Sequence, residues 1–185
     1  MQGIILKTKN RKRVVYKLQK GNINLNTVLK ELPNGKEDYR LISVDGGFSS
    51  INFINFVCQK TIVNNLFAST LRVGKVEIQT IDRLKKMGKV NNCTFCVGTI
   101  MKENKTNGID YKYSDFFENI CSNNNWDIHY CRNHSKVILF DTDCGKFVLE
   151  TSSNLNENPK IEQYIFTKSD EIYDFYQDVF LGKEK

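Results

Sequence analysis

The chain has 185 residues, of which 40% are hydrophobic and 26% charged, with only two prolines. That is one domain's worth of sequence with enough apolar material for a core; it excludes a disordered, collagen-like or Pro-rich chain, and no apolar run approaches the length of a membrane span. A formal net charge of +6 favours an anionic partner without naming it, and the two histidines, His129 and His134, exclude any site that takes three imidazoles from one chain.

Residues 13–20 alternate as a strand does, residues 26–31 have the pattern of a short helix, and Pro33-Asn34-Gly35 marks a turn. This first part is expected to be an extra edge strand or an arm. Residues 40–44 read as a strand closed by the turn Asp45-Gly46-Gly47, after which Ser49 or Ser50 caps a helix through residue 57. A strand over 61–68, an amphipathic helix over 75–87 stopped by Gly88 and a strand over 93–101 come next. A polar loop over 103–108, a helix over 114–120 and a strand over 126–131 follow. This alternation is the rhythm of an α/β fold. Two apolar runs, 136–141 and 146–150, are joined by Thr142-Asp143-Cys144-Gly145, which predicts a β-hairpin with positive φ at Gly145. A helix over 170–180 with Ile172, Phe175, Tyr176 and Val179 on one face is expected to dock last.

The first residues, Met1-Gln2-Gly3-Ile4-Ile5-Leu6-Lys7, hold too short an apolar stretch for a signal peptide, so a cytoplasmic location with six reduced cysteines is expected. Cys93-Thr94-Phe95-Cys96 has zinc-knuckle spacing, but it lies in a strand-like run without a second such pair. Cys131 and His129 would have to complete four ligands, and packed core cysteines are the favoured reading. Gly-x-x-x-x-Gly-Lys-Ser/Thr, Gly-x-Gly-x-x-Gly and His-Glu-x-x-His are all absent.

One dense constellation remains. In a strand, His134 and Lys136 project to the same side while Val137 and Leu139 turn to the core. An imidazole and an ammonium in one pocket are costly to bury unless an anion joins them, and a phosphate diester does so naturally. Ser152 and Asn154, again two apart, can return to the same edge as hydroxyl and amide donors.

The spacing His134-x-Lys136-x-x-x-x-Asp141, followed by Gly145 and Thr151-Ser152-Ser153-Asn154, resembles the His-Lys-Asp motif and the following Gly-Ser-x-Asn of the phospholipase D superfamily. Thr151 stands where that family usually has glycine. The resemblance implies a phospholipase D-like α/β fold, a mixed β-sheet flanked by helices with one motif per chain. Residues 1–38 would be an N-terminal extension or edge element and residues 39–185 the catalytic domain. Single-motif chains of this size are similar to small metal-independent endonucleases, whose two motifs come from two subunits. The resemblance thus implies a homodimer with a shared active site, since this chain has no second His-x-Lys. It also implies that one His134 attacks phosphorus to form a phosphohistidine while the partner's His134 serves as acid and then base. Lys136, Ser152 and Asn154 would supply positive and donor groups, with no metal and no cofactor. Glu162, or alternatively Glu150, would hold the nucleophile's tautomer, and Asp141 would play a supporting part.

The function implied is that of a homodimeric phosphodiesterase, first of all an endonuclease acting on nucleic acid, with DNA as the expected partner and no membrane. A phospholipid phosphodiesterase and a non-catalytic nucleic-acid-binding module of the same fold are the alternatives. Phe48, Phe53, Tyr111 and Tyr113 could stack bases, but core packing is the commoner use of such residues.

Overall fold

The elements of the computed structural model follow the chain as β1 (Arg13–Lys20), α1 (Leu25–Val28), β2 (Glu37–Val44), α2 (Ser50–Lys60), β3 (Val63–Thr70), α3 (Lys75–Lys86) and β4 (Val90–Gly98). A single 3-10 turn (Thr99–Met101) then precedes α4 (Tyr113–Asn123), β5 (Asp127–Cys131), β6 (Val137–Thr142), β7 (Gly145–Thr151), β8 (Glu162–Lys168) and α5 (Asp170–Leu181). The structure describes residues 13–20, 25–45, 48–102, 113–156 and 160–182. The expected turn at Gly46-Gly47, the loop over 103–108 and Tyr111 lie outside them.

The strands form one sheet in the order β1-β2-β8-β7-β6-β3-β4-β5. Its outer pairs, β1 with β2 and β3 with β4 and β5, are parallel, whereas β2, β8, β7, β6 and β3 alternate in direction. The two kinds of pairing follow from the connections. The β6–β7 turn is short enough for a hairpin, and Gly145 at φ +113° supplies its left-handed residue. Strands β3, β4 and β5 are separated by helices and so return in the same direction.

Helices α1 to α4 bury their apolar faces against one side of the sheet, through Leu25, Phe53, Ile54, Ile78, Ile81 and Phe117 among others. Helix α5 covers part of the other side, where Tyr173 packs with Phe67, Val137, Leu139 and Val148. The central strands therefore face protein on both sides. Leu66 to Thr70 of β3 and Val137 to Phe140 of β6 are continuously buried rather than alternating. Caps fix the helix starts. Asn52 Oδ1 accepts from the Ser49 N–H at 2.7 Å before α2, and Ser169 Oγ accepts from the Ile172 N–H at 3.3 Å before α5.

The structure corrects the sequence reading at three places. Residues 162–168, not expected to be a strand, form β8 and sit in the middle of the sheet between β2 and β7. Strand β4 stops at Gly98 instead of running to 101, where the chain turns into the 3-10 segment; a side chain at Gly98 would meet Leu71 at 2.8 Å, so glycine is required at this end. The docking face of α5 is Tyr173, Tyr176 and Phe180 with Ile172, while Val179, expected to face inward, is 50% exposed.

Candidate active site

Strands β3, β4, β5 and β7 all end at the same edge of the sheet where β6 and β8 begin, so the loops after Thr70, Gly98, Cys131 and Thr151 converge there. Crevices outside the carboxyl ends of strands are the usual ligand sites of α/β sheets. Here an open cleft of about 580 Å³ is lined by His134, Lys136, Glu150, Thr151, Ser152, Gln163, Ile165 and Tyr176, together with Ser135 and Val137.

The segment carrying His134 precedes β6 and has no ladder of its own; Asn133 fixes it. The Asn133 amide donates to Ser69 Oγ and to the Cys96 carbonyl, both at 2.9 Å, and its Oδ1 accepts from the Ser135 N–H at 2.8 Å. One side chain thus ties the end of β3 and the end of β4 to the segment that leads into β6. His134 is exposed at the cleft mouth, and its Nδ1 lies 3.3 Å from Lys136 Nζ, which also donates to the His134 carbonyl at 2.7 Å. Burial holds the Lys136 ammonium below the usual lysine range, and the Glu162 carboxylate partly offsets this. An anion entering the cleft would be favoured for the same reason, since it returns to Lys136 the stabilisation that water would give.

Ser152 joins them. Its N–H donates to the Gln163 carbonyl at 3.1 Å, and its Oγ accepts from the Gln163 N–H at 3.0 Å and donates to the Glu162 carboxylate. Glu162, 5% exposed at the head of β8, is therefore engaged by Ser152 and lies in the field of Lys136. The group beside Nδ1 of the His134 ring is the Lys136 ammonium. Glu150, the alternative acceptor, is inside the cleft and receives a hydrogen bond from the Tyr176 hydroxyl, whose titration is pushed well up by burial and by that carboxylate.

Two expected residues stand elsewhere. Asn154 is not among the cleft's lining residues; its Oδ1 faces Thr70 Oγ1 at 3.5 Å. Strand β7 ends at Thr151, whose Oγ1 accepts from the Ser153 N–H at 2.9 Å, and this turn breaks the alternation that would have kept Ser152 and Asn154 on one side. Asp141 lies five residues along β6 from Lys136, roughly 16 Å away at the rise of a strand. There it accepts from Asn65 Nδ2 at 2.9 Å and faces Lys146 across the hairpin. It belongs to the frame of the sheet and not to the cleft.

Cys93 and Cys96, three apart on a strand, fall on opposite faces of the sheet and enter different clusters, so they do not form one half of a zinc knuckle. Phe48 and Phe53 are buried against Tyr164 in an aromatic cluster. Asn133 and Gln163 are not singled out in the sequence, and Tyr176 is expected there only as part of the docking face of the last helix. Only the position of Asn133 immediately before His134 was a signal for any of them.

No sequence family and no curated protein matches the chain. Among solved structures, a polyphosphate kinase from Porphyromonas gingivalis superposes with a TM-score of 0.62 at 15% identity, over 89% of this chain and 30% of that one. The chain thus spans under a third of the kinase's length. A phosphatidylserine synthase from Haemophilus influenzae aligns at TM-score 0.48 and 13% identity, over 77% of this chain and 37% of the other. Yeast tyrosyl-DNA phosphodiesterase aligns at 0.33 and 12%, over 69% and 28%. The likeness to the kinase is one of fold, and the mixed sheet flanked by helices is a phospholipase D-like fold.

Proposed function

We propose that the chain is a metal-independent phosphodiesterase that acts as a homodimer on nucleic acid, DNA first, through a phosphohistidine intermediate. The observation that carries this reading is the exposed His134 beside Lys136, with Ser152 in the same open cleft at the carboxyl ends of the strands. An exposed histidine, a partly desolvated ammonium and a hydroxyl are a receptor for a phosphate diester. Arg72, Lys102 and Arg132 follow β3, the 3-10 turn and β5 at the same edge of the sheet, which suits a polyanion.

In the proposed reaction a ring nitrogen of His134 attacks phosphorus, and the bond from phosphorus to the leaving oxygen breaks as the partner's His134 gives that oxygen a proton. Water then attacks phosphorus, the phosphorus–nitrogen bond breaks, and the partner's His134 takes the proton from water. Lys136 holds negative charge on the phosphoryl oxygens throughout. In this reading Glu150, which lines the cleft and accepts from the Tyr176 hydroxyl, orients the imidazolium.

Supercoiled plasmid incubated with the chain in EDTA tests the reading. Metal-free nicking that disappears in His134→Ala is expected. Release of headgroup from phospholipid vesicles with no nicking would replace it by the lipid reading, and retention of plasmid without cleavage would replace it by a binding module.

A further inference from the structure

Strands β4 and β5 run parallel, with Cys96 opposite His129 and Gly98 opposite Cys131. Cys96 and Cys131 are therefore diagonal neighbours on one face. Gly98, across from Cys131, puts no side chain between them, and their sulfurs lie 3.1 Å apart. That is about 1 Å beyond the length of a disulfide bond. Cys96 is 5% exposed in the cluster under α5, while Cys131 is open to solvent at the end of β5. One sulfur can thus be reached by a reagent while the other is held against it.

We propose that Cys96 and Cys131 form a reversible intrachain disulfide by exchange with a low-molecular-weight disulfide. The Cys131 thiolate attacks one sulfur of the oxidant, whose sulfur–sulfur bond breaks; one thiolate leaves and Cys131 carries a mixed disulfide. Cys96 then yields its thiol proton to water, its sulfur attacks the Cys131 sulfur, and the second thiolate leaves. In sum the chain loses two hydrogens and the oxidant becomes two thiols. Burial pushes the Cys96 thiol up to about 12, which makes it the resolving group and the exposed Cys131 the first to attack.

The bond has a place to act. Asn133, which fixes the segment before His134, donates from its backbone N–H to the Cys131 carbonyl at 2.8 Å and from its amide to the Cys96 carbonyl at 2.9 Å. Both cysteines are thus joined to the same residue, and closing the bond locks the ends of β4 and β5 on which the His134 segment rests.

The reduced full chain, equilibrated with oxidised glutathione and then alkylated, is read by intact mass and peptide mapping. Two thiols are expected to be lost, with a cross-linked peptide pair containing Cys96 and Cys131 that dithiothreitol reverses. Cys144→Ser, which removes the other exposed thiol, should leave this unchanged, and Cys131→Ser should abolish it. Six alkylatable thiols after oxidation, or a reaction that stops at a glutathione adduct on Cys131 with Cys96 still free, would overturn the proposal. The thiol count does not involve the cleft, so failure of the phosphodiesterase reading leaves this outcome unaffected.

Discussion

Lys136 carries two opposed demands. Its ammonium is partly withdrawn from water, and this lowers its pKa in the folded chain, while the unfolded chain keeps the ordinary lysine value. A group whose cationic form is disfavoured by folding costs stability in full below its folded pKa. As pH rises from there toward the unfolded value, the unfolded state binds the extra proton and stability increases. Lys136→Met is therefore expected to raise resistance to urea at pH 7 while lowering turnover by about 10²–10³-fold, the effect of removing a preorganised charge. A Met variant that unfolds at lower urea than the parent would show that the ammonium is net stabilising. His134 and Lys136 were legible in the sequence because they lie two apart in one segment, although that segment precedes β6 and is held by Asn133. Asn133 and the Tyr176–Glu150 pair were not, since each acts across strands or helices far apart in the chain.

Helix α5 shows what periodicity can and cannot settle. Its existence could be read from the sequence, and its span agrees with the expected 170–180 to within a residue. Its rotation could not, because Ile172, Tyr173, Phe175, Tyr176, Val179 and Phe180 leave more than one apolar stripe. The choice is made by the partner surface. Tyr173 enters the cluster of Phe67, Val137, Leu139 and Val148, and Lys146 pairs with Asp174 at 2.6 Å alongside. Tyr173→Ala is expected to destabilise the chain by about 3 kcal/mol in a urea titration with unchanged slope, and Val179→Ser by less than about 0.5 kcal/mol. The reverse ranking would restore the rotation expected from the sequence. Strand β8 is hidden in the sequence for a related reason: Glu162 and Thr167 interrupt an apolar pattern in which Tyr164 and Phe166 are deeply buried, and the buried Glu162 accepts from Ser152.

For the molecule as a whole, the proposed reaction assigns one imidazole to each of two chains. Mixing settles whether the cleft is shared. With parent chain held constant and His134→Ala chain added in excess, a shared site predicts that activity per parent chain falls toward zero as mixed dimers form. Activity that stays constant would place a complete site in each chain. The strand–helix rhythm over 40–131 and the hairpin could be read locally, whereas the sheet order could not, because it rests on pairings such as Tyr39 with Phe166.

That pairing also governs the order of assembly during synthesis. Until residue 168 has left the ribosome, β2 lacks its antiparallel neighbour and β7 has one bare edge, so the left and right parts of the sheet have nothing between them. The nascent chain must therefore hold two unjoined halves, each with an open hydrogen-bonding border, and the last strand made is the keystone that unites them.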